Sequence, residues 1–290
     1  MLACQLHAGI IFYCFPRSLR LGSVNMYPQS SRQFENNLVL LHGMFGKPAQ
    51  WRGCADHFRD AWQVLCPELP VLEVEPDARA ICVLADEMVR RMDAAGMARA
   101  VIGGNSLGGH IAMRMALGHP DRVSGLILTG SSGLLERGFE KSVPRRPTEH
   151  WIRTKMHGIF HHPVHVTDEL VAEMRAFLNN IRRVIHMIRI AKCAKRDNLG
   201  EVLSSITCPV LLIWGENDEV TPPEAACEFH ERLPLSRLHL IAECGHVPMV
   251  EQPAVFNELA ACFLDELSSG PGSGPSREVP FSSLHITATA

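Results

Sequence analysis

The sequence lacks three features that would each have pointed to a particular class of protein. It has no excess of positive charge, since the formal net charge is −3, so no nucleic-acid partner is expected. It has no C-x-x-C pair, and its ten cysteines are scattered through apparent strands and helices, which predicts buried thiols and a reducing, cytoplasmic compartment. It also has no apolar run long enough to span a bilayer, so no membrane segment is expected.

Both ends of the chain differ in composition from its middle. Residues 1–15 are moderately apolar but carry no positively charged n-region, and Gln5 and His7 interrupt the apolar stretch, so a signal peptide is not expected. We expect residues 1–36 to be an N-terminal extension, either with an early strand at 10–13 or with a natural start further along, at Met26. Residues 268–290 are rich in Ser, Gly and Pro and are predicted to be a disordered tail.

The middle of the chain has the pattern of an α/β protein. Its 290 residues can form one large α/β domain, with or without an insertion. Short apolar runs alternate with helical patterns, which indicates a mostly parallel sheet with helices on both faces. The predicted strands are 38–41, 63–66, 100–103, 123–129, 209–214 and 237–241, and helices are predicted at 77–95 and 252–267. The predicted core therefore comprises residues 37–132 and 201–267.

The alternation stops between residues 133 and 200. This segment has helical stretches at 168–177 and 181–195, almost no strand pattern, and thirteen Lys and Arg residues against seven Asp and Glu residues. We predict that it is a helical cap over the C-terminal edge of the sheet. Its basic surface would suit a carboxylated substrate, and a solvated basic face explains the charge equally well.

The most informative motif is Gly104-Asn105-Ser106-Leu107-Gly108, which lies between a predicted strand and a predicted helix. A G-x-S-x-G sequence in that context places the serine on a sharp turn, where its hydroxyl is exposed above the sheet. The glycines are needed because such a turn brings backbone segments too close for a Cβ. A plain helix N-cap is the alternative interpretation of Ser106.

A serine hydroxyl needs a base to take its proton and a third group to orient that base. Asp218 follows one late strand and His246 follows the next, so the chain order is Ser, Asp, His. Glu216 and Glu219 are rivals for the acid, because both lie within two residues of Asp218. Asp218 could instead form a turn before Pro222, and His246 could be a structural histidine.

These motifs resemble those of the α/β-hydrolase family. The matching pieces are His42-Gly43-Met44-Phe45-Gly46, the serine motif extended by Gly109, Gly215-Glu216-Asn217-Asp218 with Pro222, and Gly245-His246. The resemblance runs from about residue 37 to 267, with an insertion where such enzymes carry a cap. It implies Ser106 as nucleophile, His246 as general base and then acid, and Asp218 as the group that orients His246.

The resemblance also implies an oxyanion hole made by the backbone N–H groups of Met44 and Leu107. His42 is expected to brace that loop by hydrogen bonding. The other acid position of the family follows the strand that ends at Thr129, where the sequence has Gly130 and two serines and no carboxylate, which favours Asp218. The residues expected to bind or support the substrate are His42, Gly43, Phe45, Asn105, Trp151 and Val247.

The resemblance leaves three functions open. Asn105 before the serine resembles the meta-cleavage-product hydrolases, which cleave a C–C bond in acidic dienones. That subfamily usually has tryptophan after the catalytic histidine, where this chain has Val247, and it expects a cap arginine that cannot be chosen among Arg153, Arg175, Arg182, Arg183 and Arg189. A carboxylesterase is therefore the first hypothesis, a C–C hydrolase the second, and a binding protein without catalysis the third.

The expected partner is a small-molecule substrate, and the basic cap would be compatible with an anionic one. The sequence does not decide whether the protein is a monomer or a homo-oligomer. The chemistry needs no metal and no organic cofactor, so neither is expected. A histidine cluster raises the question of a zinc site, but Pro163 interrupts any helix there, and a solvated or packing role is favoured. Its members are His157, His161, His162 and His165.

Overall fold

The computed structural model describes residues 36–135, 144 and 147–269. The early strand expected at 10–13 and most of the expected tail lie outside the described residues. The strands are β1 (Asn37–Leu41), β2 (Gln63–Leu65), β3 (Ala100–Asn105), β4 (Val123–Thr129), β5 (Val210–Gly215) and β6 (Ser236–Ile241). All pair in parallel, as the alternating pattern predicted, and their order in the sheet is β2-β1-β3-β4-β5-β6.

The central strands are apolar on both faces, which is the pattern of a sheet covered on both sides. Every residue of β3 and β5 is buried, whereas β6, at the edge, is partly exposed. Parallel pairing brings the carboxyl ends of β1, β3 and β5 to one edge of the sheet. Leu41 pairs with Gly104, and Gly215 pairs with Ile241, so the loops that follow these residues meet above that edge.

Nine helices are described: α1 (Arg52–Phe58), α2 (Ala80–Ala94), α3 (Leu107–Gly118), α4 (Glu149–His157), α5 (Asp168–Leu178), α6 (Ile181–Arg196), α7 (Pro223–Arg232), α8 (Pro248–Glu251) and α9 (Pro253–Ser269). Apolar residues of α2, α3 and α7 pack in one core, and those of α1 and α9 pack in the other. The two cores lie on opposite faces of the sheet, because alternate residues of β1 point into each.

Two helix boundaries differ from the expected ones. Helix α2 begins at Ala80 rather than Asp77, because the Asp77 carboxylate accepts a hydrogen bond from the Arg79 N–H at 2.8 Å and forms a turn before the helix. Helix α9 continues to Ser269, two residues into the range expected to be a tail. The Ser268 hydroxyl there donates to the Leu264 carbonyl oxygen at 2.9 Å.

The segment between β4 and β5 contains helices α4, α5 and α6, and each begins at a side-chain cap. Thr148, Thr167 and Asn180 accept hydrogen bonds from N–H groups three residues later. Buried residues of α4 and α5 join the core of α1 and α9, whereas those of α6 join the core of α2, α3 and α7. The segment therefore contacts both cores, and its role as a cap stays a prediction.

Among the helices of the described residues, none combines the length and the apolar character needed to cross a membrane.

Candidate active site

Ser106 lies on a strained turn between β3 and α3. Its backbone has φ 55° and ψ −119°, a conformation that residues with a side chain rarely adopt. Its N–H donates to the carbonyl oxygen of Thr129 at 3.1 Å, which fixes the turn against β4. The Ser106 side chain does not cap α3, so the interpretation of Ser106 as a plain helix N-cap is wrong.

The glycines of the motif are required by close backbone approaches. A Cβ on Gly104 would lie 2.4 Å from the carbonyl oxygen of Gly108. A Cβ on Gly108 would lie 2.2 Å from the carbonyl oxygen of Leu41. The turn can form only because both positions lack a side chain, as the motif predicted.

His246 and Asp218 form a buried pair on the loops after β6 and β5. His246 Nδ1 lies 2.8 Å from Asp218 Oδ2, and both side chains are almost fully buried. Asp218 Oδ1 accepts hydrogen bonds from the N–H groups of Val220 at 2.8 Å and Thr221 at 2.9 Å. The Thr221 hydroxyl donates to Asp218 Oδ2 at 3.0 Å and lies 3.3 Å from His246 Nδ1. These contacts hold the carboxylate in one orientation, facing the imidazole.

The two rival carboxylates do not reach His246. Glu216 and Glu219 are exposed, whereas Asp218 is 3% exposed. Of these three acids only Asp218 contacts the imidazole. The geometry therefore favours Asp218 as the partner of His246.

Ser106 and His246 both lie beside the end of β4. Thr129 accepts the Ser106 N–H, and the next residue, Gly130, lies against the imidazole, since a Cβ there would be 2.7 Å from His246 Nδ1. Gly130 has φ 52°, so this close packing depends on glycine. The hydrogen bonds of the described residues do not include one between the Ser106 hydroxyl and His246, and such bonds are often long before substrate binds.

Asn105 connects the serine turn to the histidine loop. Its buried amide donates to the carbonyl oxygens of Thr129 at 3.1 Å and His246 at 2.9 Å. Asn105 thus ties the serine turn to β4 and to the histidine loop. The bond from Asn105 to His246 joins residues 141 positions apart in the sequence, so no local pattern could have indicated it.

His42 braces the loop that follows β1, as expected. His42 Nδ1 lies 2.7 Å from the carbonyl oxygen of Gly43, and its Nε2 accepts the Leu69 N–H at 3.0 Å. Burial lowers the pKa of His42 to about 4, although the bond to Gly43 opposes that change. The imidazole is therefore neutral near pH 7, with the proton on Nδ1.

The loop held by His42 lies next to the nucleophile. A Cβ on Gly43 would lie 3.2 Å from the Cβ of Ser106, so the loop backbone passes directly beside the serine. In the described part of the chain, the N–H groups of Met44 and Leu107 are not taken by a backbone acceptor. Both remain available to an oxygen atom bound next to Ser106.

A comparison with models of known protein families gives a match that agrees with this fold. The model of the alpha/beta hydrolase family matches residues 38–259. The chain belongs to the alpha/beta hydrolase family.

Two relatives of this chain are named hydrolases. A 2-hydroxy-6-oxononadienedioate/2-hydroxy-6-oxononatrienedioate hydrolase of a Pseudomonas species is 30% identical over 60% of the chain and 65% of its own length. The chain thus matches less than two thirds of that relative. A hydrolase of the same name from Paraburkholderia xenovorans (strain LB400) is 29% identical over 84% of the chain and 91% of its own length.

A solved structure is also similar to this chain. An alpha/beta hydrolase enzyme from the metagenome of sediments of the Mar Chica lagoon, Morocco, has 29% sequence identity and a TM-score of 0.65. That comparison covers 84% of this chain and 99% of the other.

The loop of Met44 also contacts the helical segment between β4 and β5. Phe45, 49% exposed, packs edge-to-face on Phe177 of α5 with ring centroids 5.6 Å apart. Lys47, two residues later, forms an ion pair with Glu173 on the same helix. Helix α5 therefore lies against the outer side of the loop that carries Met44.

Val247 and Trp151, which were also expected at the site, both pack against the core of α1 and α9. Val247 is buried in the core of α1 and α9, next to His246 in the chain. Trp151 lies on α4, packs partly against the same core, and has the Lys155 ammonium 5.9 Å from its ring centroid. No described contact joins Trp151 to Ser106 or His246, so its place in substrate binding stays a prediction.

The five arginines considered as candidates for binding a substrate carboxylate are engaged by acids or exposed. Arg153 pairs with Glu149 and Asp168, and Arg175 lies 3.6 Å from Glu149. The remaining candidates are Arg182, Arg183 and Arg189, and all three are exposed. Among the described contacts of the chain, none brings these five arginines to Ser106.

The four histidines between residues 157 and 165 do not form a metal-binding group among the described residues. Within the described residues, no cluster of three or more His, Cys, Asp or Glu side chains could hold a metal ion. The His161 and His162 rings pack edge-to-face with centroids 4.9 Å apart, and His165 stacks on Phe160 at 5.5 Å. Packing contacts therefore account for three of the four.

Sequence analysis missed a network that joins α3 to the end of the helical segment. Asp197 accepts hydrogen bonds from Arg114 Nε at 2.8 Å and lies 3.1 Å from His110 Nε2. Burial opposes ionisation of Asp197, but the bonds from His110 and Arg114 outweigh it and lower its pKa to about 2. A helical spacing of four residues between His110 and Arg114 was the one available signal.

Proposed function

We propose that this hydrolase cleaves carboxylic esters by acyl transfer through Ser106, His246 and Asp218. The supporting observation is the buried contact of 2.8 Å between His246 Nδ1 and Asp218 Oδ2, beside a serine with φ 55°. His246 Nδ1–H donates a hydrogen bond to Asp218, so the lone pair of Nε2 is available to accept the proton of a serine hydroxyl.

In the first half of the reaction, His246 takes the proton of Ser106 while Ser106 Oγ bonds to the ester carbonyl carbon. The carbonyl oxygen becomes an oxyanion, and the N–H groups of Met44 and Leu107 donate to it. The C–O bond to the leaving group then breaks, and His246 gives its proton to the leaving alcohol. An acyl-serine remains.

In the second half, His246 takes a proton from water while the water oxygen bonds to the acyl carbon. The same two N–H groups stabilise the second oxyanion. When the bond to Ser106 breaks, His246 returns the proton to Ser106 Oγ and the carboxylic acid leaves. Atoms and charges balance without a metal or a cofactor.

An uncharged, apolar substrate fits the surroundings of the loop that carries Met44. Phe45 and Phe177 form an aromatic pair there, and Phe45 is half exposed. The five arginines considered for binding a carboxylate are exposed or paired with acids. We therefore favour a neutral ester over an acidic dienone.

A second candidate is hydrolysis of a C–C bond in a dienone. It is favoured by the two relatives named as 2-hydroxy-6-oxononadienedioate hydrolases, at 30% and 29% identity. It is disfavoured by Val247, where the subfamily usually has tryptophan, and by the position of the arginines. The same triad would serve either reaction.

Labelling and turnover separate these functions. A fluorophosphonate probe should label the wild type and the control Ser204→Ala, an exposed serine, but not Ser106→Ala. Absence of labelling in the folded wild type would favour a binding protein without catalysis. Initial rates should then be compared for p-nitrophenyl acetate, butyrate and decanoate and for 2-hydroxy-6-oxononadienedioate. Strong turnover of the dienedioate with negligible ester cleavage would reject the ester hypothesis and support the C–C hydrolase.

A further inference from the structure

A buried carboxylate that takes no part in the triad lies behind the loop of His246. Glu251, the last residue of α8, is 8% exposed. Its Oε1 accepts the N–H of Gly245 at 2.9 Å. Its Oε2 accepts the N–H of His161 at 2.7 Å and that of His162 at 3.4 Å. Both carboxylate oxygens therefore act as acceptors for backbone N–H groups.

These bonds join two segments that are far apart in sequence. Gly245 immediately precedes His246, whereas His161 follows α4 in the helical segment. The same two segments also share a backbone bond, in which the N–H of His246 donates to the Ile159 carbonyl oxygen at 2.8 Å. Glu251 thus reinforces the attachment of the histidine loop to the helical segment.

The approach of the two segments is very close. A Cβ on Gly245 would lie 2.7 Å from the Ile159 carbonyl oxygen and 2.8 Å from the His161 nitrogen. On the other side of the loop, a Cβ on Gly215 would lie only 2.2 Å from the carbonyl oxygen of Gly245. The histidine loop is therefore confined between the loop of Asp218 and the segment after α4, and a small shift there would move the imidazole.

We infer that Glu251 is a positioning residue for His246, which it holds in place by binding the backbone of Gly245 to the segment 159–162. The inference rests on the proposed function of His246 as general base. Glu251 itself contacts neither Ser106 nor the imidazole in any described hydrogen bond. Its effect is therefore expected on the rate of proton transfer rather than on substrate binding. Misplacement of a catalytic group by about 1 Å costs about 100-fold in rate.

Glu251→Gln tests the geometry directly. An amide has one acceptor oxygen, so its NH2 group must face the N–H of either Gly245 or His161, and two donors then repel each other. Glu251→Asp keeps two acceptor oxygens but is one methylene shorter, so it should recover part of the activity. Glu258→Gln is the matched control, because Glu258 is exposed on α9.

The measurements are kcat and KM for a p-nitrophenyl ester, with rates expressed per serine titrated to completion with fluorophosphonate. This normalisation removes any loss caused by incomplete folding. We expect Glu251→Gln to lower kcat about 10- to 100-fold, with KM within about threefold of wild type and Glu258→Gln unchanged. The rate of fluorophosphonate labelling should fall in parallel, since it depends on the same base.

Two results would contradict the inference in different ways. If the wild type is active and Glu251→Gln has wild-type kcat per titrated serine, Glu251 is only a structural residue and the inference is wrong. If the folded wild type is not labelled at all, the proposed function fails and the inference falls with it.

Discussion

Replacing Asp218 by Asn should nearly abolish catalysis without unfolding the protein. Asp218 Oδ1 accepts two backbone N–H groups, from Val220 at 2.8 Å and from Thr221 at 2.9 Å. In the variant the amide oxygen must stay on these two donors, so the NH2 group faces His246 Nδ1. The imidazole can then satisfy that NH2 only by giving up its proton on Nδ1.

The consequence is the wrong tautomer for a general base. A proton on Nε2 would point at Ser106, and Nε2 could no longer accept the serine proton. Serine hydrolases altered in this way lose about 10⁴-fold in kcat, which corresponds to about 5.5 kcal/mol of transition-state stabilisation. Since Asn has nearly the same shape as Asp and keeps the two backbone bonds, the free energy of unfolding should change far less than this.

The assay compares initial rates of p-nitrophenyl butyrate hydrolysis for the wild type, Asp218→Asn and Glu216→Gln. Glu216 is exposed on the same loop and should be dispensable. Circular dichroism and urea unfolding would establish that both variants are folded. A loss of less than tenfold for Asp218→Asn, or a loss of comparable size for Glu216→Gln, would refute the assignment of the acid.

Three further predictions concern stability. Gly108→Ala should destabilise the fold by about 3 kcal/mol, because its Cβ would lie 2.2 Å from the Leu41 carbonyl oxygen. Gly118→Ala in the same helix, with nothing within 4 Å, is the control for urea unfolding. Asp197→Asn should cost about 2 kcal/mol at pH 7, since the pKa of Asp197 is lowered from 3.8 to about 2. This contribution is present above the unfolded pKa and is lost as pH falls from about 4 to 2, so an unchanged difference at pH 2 would contradict it. Folding lowers the pKa of His42 from 6.5 to about 4, so between these pH values the unfolded chain binds a proton that the folded protein does not. The free energy of unfolding should therefore fall as pH drops from 6.5 to 4. His42→Gln should flatten that fall, and a profile as steep as that of the wild type would contradict the reasoning.

Several parts of the fold could be predicted because their signal is local. The run 38–41 is wholly apolar, and a strand buried on both faces has that composition wherever it lies in the sheet. The strand order could not be derived in the same way, because pairing depends on surfaces that are distant in sequence. The start of α2 was misplaced for a local reason, since an acidic residue such as Asp77 can cap a turn as readily as begin a helix.

In the candidate site, too, the features with a local sequence signal could be predicted and those that depend on distant residues could not. The motif around Ser106 could be recognised because two glycines and a serine must occur within five residues for the turn to form. The interpretation of Asn105 as a hint about the substrate missed its two buried bonds, one of which reaches the carbonyl of His246. Glu251 was missed as well, because its three N–H partners are brought to it only by folding.

The sequence by itself determined the alternation of strands and helices, the sharp turn at Ser106 and the order in which a serine, an acid and a histidine follow three strands. These properties depend on neighbouring residues, whose backbone conformation and polarity are set locally. The sequence motif indicated Asp218 but left Glu216 and Glu219 as rivals, and only the tertiary structure showed that Asp218 is buried against His246 while the two glutamates are exposed. The tertiary structure likewise decided that the histidine loop is bound to the helical segment, because a hydrogen bond between residues 161 and 251 exists only when packing brings them together.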